Sequence, residues 1–193
     1  METHRPQQVV VADDFTPASR AALDRAVEIV CRAPWHVLHV VTAIDSALGV
    51  PGVRGGKVDA AYADTVHEAV VARVQESFAG REASSEVGIF VHARIGKPAE
   101  EILAVARDVG ADLIIVGSHS RRGVNRLVLG SVSEAVVREA ECAVMVARPK
   151  AYREVQRAAV FAFEHPIGPY TRPHRYAYAD QRVLHRPTDW PLL

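Results

Sequence analysis

Residues 111–137, ADLIIVGSHSRRGVNRLVLGSVSEAVV, decide how this chain is read. The apolar run ADLIIV stops at Gly117. A loop rich in glycine, hydroxyls and charge follows, with Arg121 and Arg122 adjacent. It ends at Gly130-Ser131, where apolar residues begin to recur at helical spacing. A short apolar run closed by glycine reads as a strand buried on both faces. Strand, loop and amphipathic helix in that order make half of a parallel βαβ unit. Ser131-Val132-Ser133-Glu134 fits a capping box with Ser131 as the cap. Gly130-Ser131 at a helix start can also present free backbone amides to an anion, favoured by the helix dipole. Gly117 at a strand end lets a ligand come close to the backbone. On spacing alone, a helix cap without ligand is the simpler reading.

The same alternation runs outward in both directions. QVVVAD (8–13) is strand-like, and Thr16-Pro17 opens a helix with threonine as cap and proline in the first turn. WHVLHVVTA (35–43) is a second strand. Residues 44–56, IDSALGVPGVRGG, have many glycines and no period, and read as a mobile loop. Val66, Val70, Val74 and Phe78 mark one face of a helix over 58–78. VGIFVHARI (87–95) is a third strand. Pro98 and two acids start the next helix, which stops at Gly110. ECAVMVA (141–147) closes the series as a fifth strand. The order βαβαβαβαβ implies a parallel sheet covered on both faces, with right-handed crossovers and a doubly wound arrangement. Ligands in such sheets bind beyond the carboxyl ends of the strands, at the switch in strand order. Asp13-Asp14, Val40-Val41 and Gly117 fall there.

Composition excludes several classes. With 23 Lys+Arg against 23 Asp+Glu, the chain has no net charge to attract nucleic acid or a membrane surface. No segment reaches the roughly 18 apolar residues of a membrane span, and no apolar leader is evident, so a cytoplasmic protein is expected. Cys31 and Cys142 form neither a disulfide framework nor a metal motif, and read as small buried hydrophobes. His39 reads as a core histidine, and no metal-ligand spacing joins it to His92 or His119. Residues 151–193 hold five of the eleven prolines and four of the five tyrosines, which separates them from the domain at 1–150 as a C-terminal arm or tail. No Walker motif and no GxGxxG is present.

Several segments together resemble the universal stress protein family. Its signature, G-x2-G-x9-G-[ST], fits Gly117, the spacer 121–129 and Gly130-Ser131. VVVADDFTPASRAAL looks like the family's first strand and acidic turn, LHVV like its second strand, and GKPAEEIL like its Gly-x-Pro segment. The likeness covers about residues 7–148. It implies a five-stranded sheet in the order 3-2-1-4-5, with helices on both faces. It also implies an ATP site, with or without Mg2+. Carried over by position, Asp14 and Val40 would lie on the adenine and ribose side, Gly117 by the ribose and phosphates, and Gly130, Ser131 and Ser133 on the phosphates. Ser120 stands where the signature has its second glycine. A serine there either crowds the phosphates or donates to them. Asp13 is an extra acid beside Asp14, able to repel phosphates or to help hold a cation. A homodimer through the fifth strand is implied as well. Three functions follow: a nucleotide-binding stress-response protein with at most slow hydrolysis, a dimeric adaptor without nucleotide, and an enzyme using His119.

Overall fold

The computed structural model describes residues 5–32, 36–55, 57–81, 87–118 and 129–149. Ser120, His119 and the arm at 151–193 lie outside them. The elements are β1 (Gln7–Ala12), α1 (Pro17–Arg32), β2 (His36–Ile44), α2 (Ala60–Phe78), β3 (Gly88–Ile95), α3 (Pro98–Val109), β4 (Leu113–Gly117), α4 (Ser131–Glu139) and β5 (Ala143–Ala147). All four strand pairings are parallel, in the order β3-β2-β1-β4-β5. The doubly wound sheet is therefore as expected, with its switch point between β1 and β4.

The period of two along β1 divides the core. Val9 and Val11 join the cluster under α1 and α2, with Leu23, Val27, Val66 and Val70. Val10 points the other way, to Ile102, Val105 and Val136 of α3 and α4. Valines that are apolar on both faces are what a covered parallel strand requires. Thr16 caps α1, accepting the Ser19 amide on its hydroxyl at 3.2 Å. Gly110 closes α3 in the left-handed region, φ 62°, where an L side chain would be strained. Cys31 is buried in the first cluster, and half-buried Cys142 packs on the second.

Two local expectations are corrected. The segment 44–56 is held in place over its described residues. Asp45 and Gly49 form a bridge, and the Tyr62 hydroxyl bonds the Val50 amide at 2.9 Å and the Val53 carbonyl at 3.1 Å. Its Tyr62 anchor lies on α2, so no local period reveals it. The capping box also fails. Gly130 is the cap residue of α4 and has no side chain to cap with, and Ser131 is already helical.

His39 is a core histidine, as read. Its Nε2 meets Gln8 Oε1 at 2.8 Å, its Nδ1 meets His92 Nε2 at 3.1 Å, and its ring stacks on Phe90 with centroids 5.1 Å apart. Burial, with His92 nearby, pushes the His39 pKa down to about 4, and burial lowers that of His92 too. Unfolding frees the His39 ring to take a proton near pH 6.5, whereas the folded protein refuses it until about 4. Stability is therefore lost as pH falls across that window. Urea unfolding at a series of pH values from 7 to 4 will show the decline, and His39→Gln will flatten it. An unchanged slope in the variant would remove His39 as its cause.

Candidate functional site

β1 ends in two adjacent carboxylates with different tasks. Asp13 is buried, its side chain wholly removed from solvent. Its Oδ1 accepts from Ser19 Oγ (2.6 Å), the Phe15 amide (3.1 Å) and Arg73 Nη2 (3.1 Å), and its Oδ2 from Arg73 Nε (2.7 Å). A buried carboxylate so fully paired has both oxygens occupied within the protein. The charge of the extra acid is thus paired inside the protein by Arg73. Asp14 is half-buried, and its Oδ1 closes a turn onto the Thr16 amide (3.1 Å) and hydroxyl (2.6 Å). Between them Phe15 takes φ 63°, a strained value for an aromatic residue, under the Arg73 guanidinium 4.9 Å from its ring.

Beyond the strand ends lies a cleft of about 560 Å³. Asp13 and Asp14 line it from β1, Val41 and Asp45 from the end of β2, Gly117 from β4, and Gly130, Ser131 and Ser133 from the start of α4. Six of the seven residues singled out from sequence can be placed. Asp14, Gly117, Gly130, Ser131 and Ser133 meet at the cleft. Val40 does not line it: its side chain is fully buried among Leu38, Ile44 and Val66, and its neighbour Val41 lines the cleft instead. Ser120 is outside the described residues.

The glycine and hydroxyl roles differ from the simplest expectation. A Cβ on Gly117 would sit 2.7 Å from the Ala18 carbonyl carbon and 2.8 Å from its oxygen. What approaches this glycine closely is the first turn of α1. Ser133 Oγ donates to the Gly117 carbonyl at 2.7 Å, so its proton is used within the protein. At α4, Gly130 N donates to the Ser118 carbonyl at 3.2 Å, and Glu134 N returns to Gly130 O at 2.8 Å. The amides of Ser131, Val132 and Ser133 have no acceptor within the helix. The cap residue, a glycine, supplies no side chain to them, and all three residues line the cleft.

Sequence reading missed the rim between β2 and α2. Asp45, Leu48, Val50 and Pro51 line the cleft there. Asp45 Oδ1 accepts the amides of Ala47 and Leu48, which hold its carboxyl below the usual range. The Asp-Ser-x-x-Gly pattern at 45–49 is a legible turn signal. Arg73 was missed because it stands as one more charge on an amphipathic helix.

A doubly wound α/β domain with a cleft at its switch point, walled by the start of α4, is the class that these features define. The chain belongs to the universal stress protein family, whose model matches residues 6–148. It is 34% identical over 147 residues to Universal stress protein A homolog 2 of Coxiella burnetii, covering 75% of this chain and 96% of that one. The structure of universal stress protein UspA from Lactobacillus plantarum matches with a TM-score of 0.56 at 22% identity, over 76% of this chain and 100% of the other. A universal stress protein solved in complex with cAMP matches with a TM-score of 0.50 at 25% identity, over 75% and 98%. No helix among the described residues is long and apolar enough to cross a membrane.

Replacing Arg73 by methionine leaves the Asp13 charge buried without its partner. Removing one member of such a pair costs about 3 kcal/mol. Denaturant unfolding of Arg73→Met will show a loss of that order, and a loss below about 1 kcal/mol would mean that the pair does not hold the turn.

Proposed function

We propose that the cleft binds an adenine nucleotide, ATP with Mg2+, and that the protein passes the bound state to a partner in a cytoplasmic stress-response or regulatory role. The observation that carries this reading is the α4 end: the first-turn residues Ser131, Val132 and Ser133, whose amides the cap residue Gly130 leaves without a side-chain partner, line the cleft beside Gly117. Gly130, Ser131 and Ser133 bind phosphate in this reading, Ser131 by amide and hydroxyl and Ser133 by amide. Asp14 and the β2 end take the ribose and base, with Val41 rather than Val40 facing the ligand. The similar protein with bound cAMP supports an adenine nucleotide. In this reading Mg2+ arrives on the phosphates, as suits an ion that keeps its waters.

One observation favours the rival reading, an adaptor without nucleotide. Besides Asp13, which Arg73 pairs, the described lining carries two carboxylates, Asp14 and Asp45, and no lysine or arginine. Thermal denaturation with and without ATP–Mg2+ separates the two. Ligand at 100 times its Kd stabilises by about 2.7 kcal/mol. Gly130→Val places a branched side chain at the amide end and will abolish the shift, while keeping a backbone angle (φ −64°) that valine adopts freely. No shift in the unsubstituted protein would leave the adaptor.

In both readings the protein pairs through β5, which is an edge of the sheet among the described residues, with Val137 exposed on α4. Sedimentation will give a mass near twice 21.0 kDa. A single-chain mass at micromolar concentration would contradict the pairing.

A further inference from the structure

Among the described residues, five large apolar side chains stand in solvent: Leu48, Ile89, Phe90, Ile95 and Val137. Leu48 is the most exposed, at 82%, and of the five only Leu48 lines the cleft. A single exposed leucine needs no explanation. Its mounting does. Asp45 Oδ1 accepts the amides of Ala47 (2.8 Å) and Leu48 (2.9 Å), and the Gly49 amide donates to the Asp45 carbonyl at 2.8 Å. Gly49 adopts φ 65°, and the amide of Val50 is bonded to the Tyr62 hydroxyl. The turn is fixed at both stems, and it holds an apolar side chain in water at the cleft mouth. That exposure is relieved only when an apolar surface covers it.

Position indicates which surface. The α4 amides mark the end of the cleft that takes an anion. Leu48 stands at the end of β2, two strands from β4 and so about 10 Å across the sheet. Val41, Val50, Pro51, Pro98 and Ile102 make the lining apolar around it. A ligand with phosphate at one end and a flat, weakly polar ring at the other matches this gradient. We propose that Leu48 covers the base of the bound nucleotide, and that the 45–49 turn is a preformed wall of the base subsite. The proposal rests on the nucleotide reading and adds to it the side chain that makes the base contribute to binding.

The test compares the unsubstituted protein with Leu48→Asp and Leu48→Trp. Since Leu48 is 82% exposed, both variants keep the melting temperature of the unliganded protein. Calorimetric titration with ATP–Mg2+ will show Leu48→Asp binding about tenfold more weakly, the effect of uncovering part of a leucine side chain. The emission of Leu48→Trp will be quenched along the same titration by stacking on the base. The quench will exceed any change in the parent, which already carries Trp35 and Trp190. Leu48→Asp binding within about twofold of the parent, or a Leu48→Trp protein that binds without quenching, overturns the role of Leu48 and leaves the nucleotide reading standing. No binding by the parent removes the nucleotide reading, and this proposal with it.

Discussion

The site depends on one buried ion pair. Asp13 and Arg73 join the end of β1 to the middle of α2, and the same carboxylate ties down Ser19 in the first turn of α1. The Asp13 backbone is held too, its amide on the Val41 carbonyl (2.9 Å) and its carbonyl on the Thr42 hydroxyl (2.8 Å). Two strands and two helices therefore converge on one residue. Phe15 follows directly, in a conformation that costs an aromatic residue on the order of 1–3 kcal/mol. Its amide bond to Asp13 and its contact with Arg73 hold it there. A strained turn of this kind persists only when its surroundings over-determine it, and it is this turn that sets the direction of Asp14.

How much of this was legible in the sequence depends on the range of the forces. The sheet and the helices of its two faces were readable because each strand and helix declares its buried face by period. Pro98 and Gly110 were readable because they act on their own backbone. Asp13 as an ion-pair partner was not, because Arg73 lies 60 residues away in sequence. The rim at 45–55 failed for the same reason: its glycines looked like freedom, whereas Gly49 and Gly55 are small because Tyr62 lies against them. Val40 was placed by family likeness at the right strand end. The side-chain alternation of β2 then puts Val41 on the cleft and Val40 in the core. Ser131 was misread as a cap because a Ser-x-x-Glu string is equally a first helical turn, and only the backbone angle of Gly130 tells them apart.

That missing cap makes chemical sense of the α4 end. A side-chain cap would satisfy one of the helix's first amides internally and raise stability by about 1 kcal/mol. The protein has glycine at the cap position instead, and the Ser133 hydroxyl is turned back to Gly117. Neither group occupies the main-chain donors of the first turn, whose residues line the cleft at a position fixed by the helix rather than by a flexible side chain. An anion there meets donors that need no reorganisation.

The Tyr62 contact has a further consequence for how this protein can change over evolutionary time. Its ring fills the space that a side chain at Gly49 or Gly55 would need, and its hydroxyl holds Val50 and Val53. Substituting any one of the three positions leaves the others mismatched, so single steps away from the arrangement meet a barrier. Residues 45–62 should accordingly be inherited, exchanged or grafted as one cassette. A chimera that crosses over inside that segment would combine a tyrosine from one parent with a rim shaped for another.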